Sequence, residues 1–186
     1  AVDSMKTSED IRIGAQLISS IQIDPTTCFN WVTGEISDIA LNHFKAGKYT
    51  IEKVKTTENF EIVTLSNELI LLDKVIDSEK RTGTTDFELH NGNELTISVP
   101  GKYEIRYYAQ PPLPQTKTTP IEMPEQYIDA MKFYISARIR ARLFGQADSN
   151  AVSFFEEYKN ALTNADAAML QKHRRHRRMP PSYRGF

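Results

Sequence analysis

Two periods alternate along this 186-residue chain. Apolar side chains recur at helical spacing near both ends and at every second residue in between. Ile11, Ala15, Leu17, Ile18 and Ile21 share helical spacing behind Thr7 and Asp10, which predicts a helix over about 8–21. Asp24-Pro25 then pairs an N-cap residue with a proline in the first helical position, where a missing N–H costs nothing. Phe29, Val32, Ile36, Ile39 and Ala40 form the stripe of a second helix reaching about Lys45, with Gly47 placed to end it. Beyond Gly47 the period drops to two. Tyr49/Ile51, Phe60/Ile62, Phe87/Leu89, Leu95/Ile97/Val99 and Tyr103/Ile105/Tyr107 alternate with polar residues, as antiparallel strands with one wet face do. Asn91-Gly92-Asn93 and Pro100-Gly101 supply turns, and the run Glu68 to Leu72 predicts a strand covered on both faces.

Five of the nine prolines fall between Pro111 and Pro124, in a stretch that can neither pair as a strand nor begin a helix until its end. Pro124 opens a third predicted helix with the stripe Tyr127, Ala130, Met131, Tyr134, Ala137 and Ala141, ended by Gly145. A fourth begins near Asp148 or Ser149 and carries Val152, Phe155, Tyr158, Leu162, Ala165 and Met169. Helices joined by so few residues should pack antiparallel. The pattern predicts an α+β fold of about four bundled helices with an inserted antiparallel β domain. Its parts are N-terminal helices over 1–47, the β insertion over 48–110, a Pro-rich connector over 111–123, a helix pair over 124–170, and an extended basic, aromatic arm over 171–186.

Composition permits a packed core, with 40% apolar and 25% charged residues, and the longest apolar run is Leu69 to Leu72, so no membrane span is expected. The net charge of −1 conceals a segregation. Lys172, Arg174, Arg175, Arg177, Arg178 and Arg184 stand in the last sixteen residues without an acid, leaving 17 basic against 24 acidic side chains in residues 1–170, a net of −7. An acidic body with a basic tail points to a negatively charged partner, nucleic acid or protein. Tyr183 and Phe186 among the arginines suit an interface, because rings and guanidinium groups give large contact area at low entropic cost. Arg138 and Arg142 lie one turn apart on the third helix and share a face, whereas Arg140 points elsewhere. They are candidates for an intersubunit or DNA contact.

Catalytic signatures are missing. Neither the phosphate-binding glycine loops nor a Gly-x-Ser-x-Gly elbow occurs, and carboxylate pairs such as Asp77/Glu79 or Glu156/Glu157 have the density of solvated surface. Cys28, the single cysteine, excludes an intrachain disulfide. It stands in the first turn of the second helix, where the dipole can favour a thiolate, although a small core residue is the plainer reading. His173 and His176 share a spacing used by metal ligands, but the surrounding arginines repel a divalent cation. The chain is expected to be no enzyme and to need no cofactor or metal.

Three stretches carry a family resemblance. They are Trp31-Val-Thr-Gly-Glu35 through Asn42, Gly101-Lys-Tyr-Glu-Ile-Arg-Tyr107-Tyr108-Ala-Gln-Pro-Pro, and Met123-Pro124-Glu-Gln-Tyr127 through Gly145 and on to Phe154-Phe-Glu-Glu-Tyr158 and Leu162. Their order resembles the head-to-tail connector, or adaptor, proteins of tailed bacteriophages, including the tail tubular protein A type. The resemblance implies a helical bundle with an inserted β domain, assembled as a ring of twelve copies beneath the portal. Such a ring would extend the channel for passing double-stranded DNA, without sequence specificity, and would offer a docking surface to a tail or nozzle protein. It implies a location in the neck of the virion, and in the host cytoplasm during assembly, with Lys172, Arg174, Arg175, Arg177, Arg178, Tyr183, Arg184 and Phe186 embracing the portal or a neighbouring subunit. Two other readings compete: another neck or tail-completion protein, and a soluble nucleic-acid-binding protein acting through its basic tail.

Overall fold

The computed structural model describes residues 6–57, 61–65 and 69–177, with 172–177 as backbone. It has four helices, α1 (Ser8–Ser19), α2 (Pro25–Asn42), α3 (Glu125–Phe144) and α4 (Ser149–Arg177), and a run of strands between α2 and α3. The strands are β1 (Lys48–Thr56), β2 (Ile62–Thr64), β3 (Leu69–Asp77), β4 (Thr82–Gly83), β5 (Phe87–His90), β6 (Glu94–Ile97) and β7 (Gly101–Ala109). The α+β class and the inserted antiparallel sheet are as the pattern predicts. The chain divides into a helical unit, 1–36 with 112–186, and a β unit, Ser37–Pro111. The division falls inside α2, so Ser37–Asn42 belong to the β unit. There the Gln110 side-chain amide donates to Ser37 Oγ at 2.7 Å.

In the helical unit, local signals set the helix ends. The Asp10 carboxylate accepts from the Thr7 backbone N–H at 2.8 Å, as the third residue of a capping box, and Asp24 caps α2 by accepting from Thr27 N at 2.9 Å. Ser20 closes α1 in the left-handed region, φ 57°. Gly145, at φ +93°, closes α3 in a conformation that only glycine adopts cheaply. The centre of the unit is α3, which packs against α1 and against α4. Ile128, Met131, Ile135 and Ala137 are fully buried, together with Ala15 of α1. Ser136 is buried at the α1 contact and donates to its own helix at Lys132 O (2.7 Å) and to Ala15 O (3.2 Å). Its hydroxyl is thus satisfied without water. On α4 the buried residues are Ala151, Tyr158, Leu162 and Ala165, while Val152 is 49% exposed. The expected stripe is buried at Tyr158, Leu162 and Ala165 and half-buried at Phe155 and Met169, but its first member is Ala151 rather than Val152.

The β unit holds two antiparallel sheets, one of four strands in the order β1-β7-β3-β4 and one of three in the order β2-β6-β5. They share one core: Val75, Ile105 and Tyr107 from the larger sheet meet Leu95 and Ile97 from the smaller. Alternation decides which side chains enter it, so the outer faces of the two sheets point away from each other. The run at β3 departs from expectation, since Leu71 is 44% exposed. It lies on the outer face opposite Tyr108, where Phe44 and Tyr49 cover Tyr108 but leave Leu71 half open to solvent.

Gly47 also serves a purpose other than the expected one. It stands after a 3₁₀ turn, Phe44–Ala46, with φ −69° and ψ 163°, a conformation open to any residue. Its requirement is steric, because a Cβ there would lie 2.7 Å from Ala109 O and 3.0 Å from Phe44 O, both backbone atoms. Gly47→Ala is expected to destabilise by about 1–3 kcal/mol through this overpacking. At Gly34, in mid-α2, nothing lies within 4 Å of a built Cβ, and Gly34→Ala is expected to stabilise by about 0.5–1 kcal/mol. Denaturation midpoints of the two variants should move in opposite directions. Equal shifts would refute the steric account.

Candidate functional site

The arginine pair foreseen on α3 forms a definite surface in the helical unit. Arg138 and Arg142, spaced by one turn, both reach the single tryptophan, their guanidinium carbons 4.7 Å and 6.0 Å from the Trp31 ring centroid. Arg138 also donates from Nη1 to the Tyr134 hydroxyl at 2.7 Å. Both arginines remain exposed at the surface, where a guanidinium stacked on an indole keeps its in-plane donors available to a partner. Beneath them Tyr134 packs against Phe155 and Tyr158, and the Tyr158 hydroxyl donates to the Glu35 carboxylate. Burial first, and Glu35 second, push the Tyr134 hydroxyl above its ordinary pKa. It therefore stays a neutral acceptor for Arg138.

Arg140 points elsewhere, as its position requires. Its Nε and Nη2 donate to the Asp148 carboxylate at 3.1 and 3.3 Å, across the α3–α4 turn, and its guanidinium lies over Phe144 at 4.3 Å. Asp148 also caps α4 by accepting from Ala151 N at 3.0 Å. Arg140, foremost, and the cap hold this carboxyl below its ordinary value of 3.8. A depressed folded-state pKa contributes stability that is present above the unfolded value and is lost as pH falls through the folded one. Asp148→Asn is thus expected to be less stable than the parent at neutral pH, with the gap closing below about pH 4. Thermal denaturation across pH 2–7 checks this, and a gap independent of pH would overturn it.

Cys28 is a core residue. It is 1% exposed, its Sγ lies 3.9 Å from Ser8 O, and burial, reinforced by Glu9, pushes its thiol up to about 12. The helix start supplies no thiolate. Of the tail candidates, Lys172, Arg174, Arg175 and Arg177 stand on the last turns of α4, which runs through Arg177. The extended arm expected from residue 171 is therefore helical over 171–177. Arg178, Tyr183, Arg184 and Phe186 lie outside the described residues.

A second basic surface, which sequence patterning does not reveal, covers the outer face of the four-stranded sheet. The register β1-β7-β3 aligns Ile51, Arg106 and Lys74 in one row, Lys53, Glu104 and Ile76 in the next, and Lys55 with Lys102 in a third. Five cations thus share a face with two acids, Glu104 and Asp73. Arg106 Nη2 holds Glu104 at 3.0 Å, and Asp73 accepts from the Tyr49 hydroxyl at 3.1 Å. No salt bridge joins Lys53, Lys55, Lys74 or Lys102 to an acid among the described residues. A shallow pocket of about 390 Å³ opens here, lined by Lys53, Ile76, Ser78, Arg81, Glu104 and Arg106. Arg106 Nε is buried within this surface and has no hydrogen-bond partner among the described residues, so the groups this arginine offers to a partner are its terminal nitrogens.

Among the described residues no helix is long and apolar enough to cross a membrane. Neither a protein-family model nor a curated protein matches the chain.

Proposed function

We propose that this chain is a structural virion protein, a head-to-tail connector of the adaptor type that docks on the portal of a tailed bacteriophage, prolongs the DNA channel as a ring and offers the tail a surface for attachment. What supports this reading is the interruption of a helical unit by a β unit, Ser37–Pro111, together with a last helix whose final turns carry a cluster of basic residues. The resemblance of the three sequence stretches supplies the rest. On this reading the chain's chemistry is recognition rather than turnover. The basic end of α4 and the residues after it engage the portal or a neighbour, and Arg138 and Arg142, stacked on Trp31, contact a subunit or DNA.

The test is capture of the full chain, and of a version ending at Leu170, by purified portal protein and by duplex DNA at low and high salt. Portal capture that resists salt and needs residues 171–186 is the expected result. Capture by DNA alone, vanishing with salt as counterion release requires, would replace the connector reading with that of a nucleic-acid-binding protein acting through its tail. The variant Arg138→Ala/Arg142→Ala separates the two surfaces, since capture that depends on residues 171–186 should persist in it.

A further inference from the structure

The β unit is electrically two-sided. Lys53, Lys55, Lys74, Lys102 and Arg106 cover the outer face of the larger sheet, with Arg81 at its rim. The smaller sheet has the opposite character. No lysine or arginine occurs in 56–73 or in 82–101, the stretches that hold β2, β5 and β6. Its outer face presents Glu88 and Glu94, in register with Thr96 and His90, and Asp86 precedes β5 with the same parity as Glu88. Glu94 accepts from the Asn91 amide at 3.1 Å; Asp86 and Glu88 are exposed. Each face also carries an exposed apolar residue, Ile51 at 49% on the basic side and Ile62 at 62% on the acidic side.

We propose that the basic face of one copy takes the acidic face of the next, with the carboxylates of Asp86 and Glu88 entering the Lys53–Arg81–Arg106 pocket. The occupant is a second copy of this chain because the complementary charge is present on the same molecule, back to back with its receptor. Apolar residues at both faces give the contact a core that charge alone would lack. A polyanion such as DNA would find the same cations, but it would meet a body of net −7 around them. Because the two faces differ, the contact is head-to-tail rather than isologous, and repetition closes a ring or extends a filament according to the rotation between copies. The inference names the surface through which copies would join in the connector reading, and rests on that reading only for ring closure.

The experiment is sedimentation velocity over a wide concentration range at low and high salt, with the full chain and two charge-reversed variants, each checked for native circular dichroism. Lys53→Glu/Lys55→Glu/Lys102→Glu makes both faces acidic, and Asp86→Lys/Glu88→Lys makes both basic. The parent is expected to associate in a salt-sensitive way. Each variant alone should associate about tenfold or more weakly, because like charges now face each other. Mixing the two variants should restore assembly, since every contact then pairs an acidic with a basic face, a rescue that misfolded variants could not give. A parent that stays monomeric throughout, variants that associate like the parent, or a mixture without rescue would each overturn the proposal. So would duplex DNA binding that Lys53→Glu/Lys55→Glu/Lys102→Glu abolishes while self-association persists, which would assign the face to nucleic acid. Portal capture is measured separately, so failure here leaves the connector reading to its own test.

Discussion

Replacing Tyr107 with alanine is expected to cost about 3–5 kcal/mol, the range for deleting a fully buried aromatic side chain. Tyr107 lies at the centre of the core that the two sheets share, with no exposed surface, and its hydroxyl donates to Glu52. The two contributions separate experimentally. Tyr107→Phe keeps the ring and removes the hydrogen bond to Glu52, a loss of about 1.5 kcal/mol. The remainder is packing, because the strands on either side of β7 hold the cavity open. Amide exchange in β1, β3 and β7 is the direct readout, since each 1.4 kcal/mol of lost opening free energy speeds exchange by about tenfold. Protection in these strands that survives Tyr107→Ala would show that the two sheets do not depend on a common core.

In the helical unit the corresponding result is expected at Met131, which is fully buried on α3. Met131→Ala should cost about 2–5 kcal/mol, whereas Met131→Leu, which nearly conserves volume, should cost less than about 1.5 kcal/mol. The contrast tests whether α3 is held by filled volume rather than by its caps. Urea titration with an unchanged slope and a lowered midpoint is the expected signature. Equal losses for the two variants would point instead to a specific role for the thioether.

The sequence discloses the helices and the insertion because these follow from period and capping, both local properties. Thr7 with Asp10, Asp24 with Pro25, and Gly145 each act within one turn of their own position. What it hides is non-local. Gly47 looks like a helix terminator, and its real constraint, the Ala109 carbonyl, arrives from the far end of the β unit. Leu69 to Leu72 looks buried on both sides because an apolar run carries no record of how many sheets will cover it. The basic sheet face is invisible for the same reason: Lys53, Lys74 and Arg106 come from three separate strands, and only their register makes them neighbours. The overrun of α4 has a different cause. Residues 171–177 lack an apolar period, yet Gln, Lys and Arg are good helix formers, and cations at a helix C-terminus complement its dipole. A helix can therefore continue where its packing stripe has stopped.

Trp31 is the chain's single tryptophan, stacked under Arg138 in the helical unit, while the β unit has no tryptophan and its tyrosines stand at 49, 103, 107 and 108. The protein thus carries a built-in optical label for one of its two halves. Excited at the red edge of the indole band, emission follows the α2–α3 contact and the state of the arginine pair above it. Backbone dichroism near the sheet bands reports the other half. Met131→Ala should shift the fluorescence transition directly, Tyr107→Ala should be read in the sheet signal, and a ligand engaging Arg138 or Arg142 would announce itself in the colour of the emitted light.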